Sequence, residues 1–145
     1  MLSATPIRKL LWFFFRPSAL GVSCIVLCGN ETLLVDYDYG SGWNFPTRHF
    51  ELRIDSPTTA VQEGLKTEFG ILPSFLSFLG YHICRIGHRR DTVYCFVGWT
   101  KSKDFQLNNR RIRQARWFPI TSLPNNLSEY SREIVERWLE QIKRM

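Results

Sequence analysis

The residue pattern predicts an α+β or α/β sandwich rather than a helical bundle. Three observations carry that prediction: a β-rich opening over residues 21–37, one helical pattern set between strand-like stretches, and an amphipathic helix over residues 127–145. The 145 residues suit one compact domain, with residues 1–16 set apart as a basic-aromatic extension and residues 17–145 as the domain itself. Eleven Phe, five Trp and five Tyr supply bulky side chains for its core.

Residues 21–28 form a short apolar run that stops at Gly29 and Asn30. Residues 32–37 resume with branched and aromatic side chains, a pattern that predicts a hairpin. Residues 39–42 are turn material leading to Trp43, Asn44, Phe45 and Pro46. Ser56 then supplies an N-cap ahead of Pro57 at the first helical position. Ala60, Val61, Leu65 and Phe69 form a buried stripe, and Gly70 stops the helix. Two more strands are expected over residues 75–86 and 92–99, joined by a polar turn through Gly87, His88, Arg89, Arg90 and Asp91. Residues 115–119 read as a last short strand. Tyr130, Ile134, Trp138, Leu139 and Ile142 fall on one side of the terminal helix.

The N-terminal apolar run, Leu10 to Phe15, is flanked by Arg8 and Lys9 on one side and Arg16 on the other. It is far shorter than the roughly 20 residues that cross a bilayer, and it lacks a small-residue cleavage site. A short helix packing its aromatic face on the domain is expected, with weak contact to a membrane surface as the alternative. The formal net charge of +6 favours anionic partners. Positive side chains gather at Arg85, His88, Arg89 and Arg90, and again at Arg110, Arg111, Arg113 and Arg116, the second group reading as solvated surface. Cys24, Cys28, Cys84 and Cys95 all lie in apolar, strand-like stretches. None stands in a Cys-x-x-Cys pair with a matching His, so the spacing predicts reduced, buried thiols in a cytoplasmic protein and no zinc site.

Several segments together point to a family. Gly21 and Val22 open a strand that is followed by Leu33, Leu34 and Val35. Gly40 and Gly42 lead to Trp43, Phe45 and Pro46, Arg89 and Arg90 precede Asp91, and Ala115 to Pro119 precede Leu123 and Pro124. Between Trp43 and Ile71 lies a loop and helix ending in Glu68, Gly70 and Ile71. Over about residues 16–139 the chain resembles the Nudix hydrolase superfamily. The resemblance implies a Nudix-like α/β/α sandwich with a mixed central sheet. It also implies a metal-dependent hydrolase of nucleoside diphosphates linked to another group.

Aligned on Gly70 and Ile71, Glu68 matches the second glutamate of the closing pair of the family's box, and Leu65 its aliphatic position. Thr67 stands where the first glutamate of that pair belongs, Gly64 where the preceding glutamate belongs, and Glu63 at the arginine. Thr47, Arg48 and His49 replace the usual glycines, and the stretch from Glu51 to Asp55 is one residue longer than usual. Positions 64, 67 and 68 share a face of an ideal helix. In the family that face presents carboxylates to divalent ions, which neutralise the diphosphate and help generate the attacking hydroxide. Here it presents a hydrogen, a hydroxyl and one carboxylate. Residues 109–114, where relatives commonly carry an acid, contain three cations and no acid.

On the resemblance, Glu68 is the candidate catalytic and metal-binding residue, Asp55 a second metal ligand with Glu51 near it, and Arg48 a phosphate contact. One Mg²⁺ held weakly, with Mn²⁺ as substitute, is the implied cofactor. The missing glutamates predict an impaired or inactive hydrolase, a pseudoenzyme; the alternative is a non-catalytic nucleotide- or protein-binding module. A nucleotide or other phosphate-bearing ligand is the expected partner, with RNA, a protein or a second copy of the chain as further candidates.

Overall fold

The computed structural model describes residues 18–40, 42–86 and 89–145. The N-terminal extension, with its expected packing or membrane contact, and His88 of the first basic cluster lie outside the described residues. Strand β1 (Ser18–Cys28) is the axis of the sheet. One edge of β1 pairs in parallel with β6 (Arg89–Trp99) all the way from Ser18↔Arg90 to Leu27↔Trp99. Its other edge is shared. β2 (Glu31–Tyr37) holds only Leu27↔Thr32 and Cys28↔Glu31, and β4 (Thr47–His49) takes Gly21↔His49 to Ser23↔Thr47. The turn between β1 and β2 is the expected one, with Gly29 at φ 59°, a conformation that only glycine adopts without strain.

β2 also pairs along its length with β7 (Ile112–Pro119) and briefly with β3 (Trp43–Asn44). β5 (Phe75–Ile86) forms an antiparallel hairpin with β6 and is the outer strand. One parallel pair among antiparallel ones makes the sheet mixed.

Residues of β1 alternate between two cores, as the period of a strand requires. Val22, Cys24 and Val26 point to one side, where they meet Leu33, Val35, Phe96, Ala60, Val61, Leu65 and Phe69. Ile25 and Leu27 point to the other, with Leu34, Val93, Cys95, Val97, Ile134, Trp138 and Ile142. The first core is closed by helix α1 (Pro57–Gly64) and the second by α2 (Glu129–Lys143). Two helices on opposite faces of a mixed sheet form the α/β/α sandwich that the sequence predicts.

Both helices start on serine caps. The Ser56 hydroxyl accepts from Thr59 N, and the Ser128 hydroxyl from Ser131 N, each at 3.1 Å. The differences from the sequence reading lie at element ends and in the loop. β1 begins at residue 18, β6 at 89 and β7 at 112, because pairing with neighbours carries strand conformation into polar residues. β3 and β4 have no sequence signature; they exist because β2 leaves β1 after two pairs, freeing a strand edge. Cys24, Cys84 and Cys95 are buried and Cys28 half-buried, all as free thiols. Burial pushes the Cys24 and Cys95 thiols up, and pushes Cys84 up to about 12, with Glu133 adding to the effect. Among the described residues, no helix is long and apolar enough to cross a membrane.

Candidate functional site

The box segment folds as a short strand crossing a helix. β4 places Thr47 and Arg48 beside β1, and α1 packs Ala60, Val61 and Gly64 against them. α1 does not run on as an ordinary helix. Leu65–Phe69 widen into a π-helical turn, which Gly70 closes at φ 67° while Ile71 N donates to Leu65 O at 3.0 Å and Gly70 N to Lys66 O at 3.0 Å. Thr67 turns back onto the helix, its hydroxyl donating to Glu63 O at 2.7 Å. Thr67 does not line the cleft that Gly64 and Glu68 share.

The space beside Glu68 is taken by Arg48. A Cβ added at Gly64 would lie 3.2 Å from Arg48 Cδ, 3.7 Å from Arg48 Nη1 and 3.4 Å from Glu68 Oε2. The arginine stem thus rests on the bare helix backbone at the position where the family carries a glutamate, an approach that a Cβ there would crowd. Val22, Pro46, Thr47, Arg48, Gly64 and Glu68 line the cleft that remains, whose cavity is about 10 Å³, the room of a single water. Among the described residues, no carboxylate pairs with the Arg48 guanidinium.

Glu68 is held from the other side by the loop before β7. Its Oε1 accepts from Asn109 Nδ2 at 2.5 Å, and its backbone carbonyl from Asn108 N at 3.0 Å. Asn109 Oδ1 in turn accepts from Arg111 N at 2.9 Å. A neutral amide therefore meets Glu68 from the segment where an acid is expected. This contact was not foreseen from the sequence; the only signal was the asparagine in an acid's place. Nearby, the Tyr37 hydroxyl accepts from Thr47 N at 3.0 Å and stacks its ring on Tyr39, with centroids 5.2 Å apart and planes 7° from parallel. Burial pushes the Tyr37 phenol up, the Thr47 backbone opposes it, and the charge of Glu68 adds to the rise. Tyr39 is 61% exposed, with one face of its ring covered by Tyr37.

Of the three residues singled out from the sequence, Arg48 and Glu68 line one cleft and Asp55 does not. Asp55 N bonds Glu51 O at 2.9 Å in the turn before α1, and the Glu51 carboxylate pairs with Arg53 at 3.1 Å. Among the described residues, no group of three possible ligand side chains contains Glu68, Asp55 or Glu51. The residues present therefore do not fit a cluster of divalent ions: one carboxylate is available, and a guanidinium occupies the space beside it.

Comparison with known proteins agrees with this architecture. A sequence search of curated proteins finds no match. Among solved structures, a MutT protein from Methanosarcina mazei Go1 superposes with a TM-score of 0.75 at 17% identity, covering 89% of this chain and 98% of that one. The NUDIX domain of Shewanella oneidensis NrtR, complexed with ADP ribose, gives 0.73 at 16% identity over 98% and 99%. A bifunctional NMN adenylyltransferase/ADP ribose pyrophosphatase from Francisella tularensis, complexed with AMP and a manganese ion, gives 0.67 at 16% over 94% and 46%. At such identities the likeness shows the fold alone. The NUDIX domain family model matches residues 17–138, most of the chain, and the chain belongs to the Nudix superfamily.

Proposed function

We propose that this Nudix domain binds the diphosphate of a nucleotide-linked ligand and is impaired or inactive as a hydrolase of it. The observation that carries this reading is the Arg48 side chain lying on Gly64 beside Glu68. Where a hydrolase of this family gathers metal ions to neutralise phosphate, this chain offers a fixed cation, whose planar fork matches phosphate oxygens. The net charge of +6 and the exposed face of Tyr39 support the same reading, the first by attracting phosphate and the second by offering a base a stacking surface. The ADP ribose and AMP held by two structural neighbours make an adenine nucleotide a reasonable first probe. The four free thiols favour the cytoplasm as its location.

Calorimetry in chelator with ADP-ribose, AMP and inorganic pyrophosphate tests the binding. Binding that disappears in Arg48→Ala supports it; no heat with any of the three, at millimolar ligand, overturns it. A release assay against nucleotide sugars, dinucleotides and nucleoside triphosphates with Mg²⁺ or Mn²⁺ tests the second part. The second reading is a surviving weak hydrolase, favoured by the position of Glu68 in the cleft. In that reading Glu68 holds one Mg²⁺ with the ligand's phosphates, and Asp55 or Glu51 assists after loop movement. Metal-dependent turnover lost in Glu68→Gln would establish it over the first.

A further inference from the structure

We propose that His82, Cys84 and Glu133 form a Zn²⁺ site on the α2 side of the sheet, across from the Nudix cleft. His82 and Cys84 are two residues apart on β5 and so project from the same face of the strand. Glu133 reaches them from the second turn of α2, its Oε2 3.0 Å from His82 Nε2. One nitrogen, one sulfur and one oxygen donor lie within 4.8 Å of one another. Zinc bonds of about 2.0–2.1 Å to nitrogen and oxygen and about 2.3 Å to sulfur set neighbouring donors about 3.3–3.6 Å apart at tetrahedral angles. The His82–Glu133 separation of 3.0 Å is slightly shorter than that range and no donor pair exceeds 4.8 Å, so small rotations of the partly exposed His82 and Glu133 side chains bring the three donors to it.

Asp91, buried at 1% exposure, is the cross-strand partner of Cys84, so its side chain stands on the same face. The Tyr130 hydroxyl, one turn before Glu133 on α2, is buried beside Gly21 of β1 with no hydrogen-bond partner among the described residues. His82 is kept in place by the edge of the Trp138 ring, 6.1 Å between centroids. Outward, His82 and Glu133 open on a groove of about 470 Å³ that also carries Arg85, Glu136 and Arg137. Three protein donors with an open fourth position leave room for water or an outside ligand. The mixed nitrogen, sulfur and oxygen set suits zinc and cobalt better than the hard ions magnesium and calcium.

The test uses the tag-free full chain, freed of metal and titrated with Co²⁺ and then Zn²⁺. The expected result is one equivalent of Co²⁺ giving a thiolate-to-cobalt charge-transfer band with tetrahedral visible absorption, bleached by Zn²⁺. Cys84→Ser abolishes the band, while Cys95→Ser and Glu68→Gln leave it intact. Because Cys84 is buried and its replacement can disturb folding, His82→Gln and Glu133→Gln serve as second variants, each expected to weaken Co²⁺ binding at least about tenfold. Absence of the band at a slight excess of metal overturns the proposal. So does a band of unchanged affinity in both His82→Gln and Glu133→Gln.

Discussion

Replacing Gly64 by alanine sets two effects against each other. Gly64 has helical dihedrals, φ −61° and ψ −48°, so alanine fits the backbone. Helix propensity then favours the variant by about 0.8–1.0 kcal/mol. The new methyl meets Arg48 Cδ at 3.2 Å and Glu68 Oε2 at 3.4 Å, closer than the roughly 3.5–4.0 Å at which carbon contacts are best. The helix backbone cannot yield; the exposed arginine can. Its displacement returns part of the gain, leaving a net stabilisation of about 0.5 kcal/mol, or roughly 1–2 °C in Tm for a chain of this size. Ligand affinity moves the other way. Charge-assisted hydrogen bonds are worth about 1.5–3 kcal/mol, so withdrawing Arg48 from phosphate weakens binding by roughly 10- to 150-fold. In an Arg48→Ala background the same glycine change gives the full helix gain and no further loss of affinity. Urea denaturation and calorimetry on the four proteins of this cycle measure both quantities. Unchanged affinity in Gly64→Ala, or a destabilisation above about 1 kcal/mol, refutes the packing argument.

Three other outcomes are expected. Phe69 is fully buried in the core beneath α1, and Phe69→Ala is expected to cost about 3–5 kcal/mol in denaturant titrations; a loss under about 1 kcal/mol would contradict that placement. Ser128 caps α2 and also donates to Asn44 Oδ1 at 2.5 Å. Ser128→Ala, by removing the cap and depriving the amide, is expected to cost about 2 kcal/mol, whereas loss of a cap alone costs about 1. Burial raises the phenols of Tyr37 and Tyr130. A raised folded-state pKa means that their contribution to stability is complete below about pH 10 and is lost as pH rises beyond it. Alkaline difference absorbance should therefore show native tyrosines ionising in two groups, the later one coinciding with unfolding. A single step near pH 10 for all five would count against it.

Much of the scaffold could be read along the chain. Ser56 and Pro57 start α1, Ala60, Val61, Leu65 and Phe69 form its buried stripe, and Gly70 ends it, as the sequence indicates. The widening at Leu65–Phe69 could not be read, because π-helical geometry has no composition of its own and depends on how the turn docks. The selective emptying of the box was also visible in the residues at 64 and 67. What fills the emptied space was not.

The sequence by itself determined the family, the two-faced sheet and the loss of the carboxylate cluster, because these rest on local propensity, hydrophobic period and residue identity. Only the tertiary structure decided that Arg48 lies on Gly64, that Asn109 holds Glu68, and that His82 and Cys84 meet Glu133. Those pairs are separated by 16, 41 and about 50 residues of chain. Their meeting depends on which strand edge is free and which helix face is buried. No signal at either residue announces it; the packing of the whole sandwich brings them together.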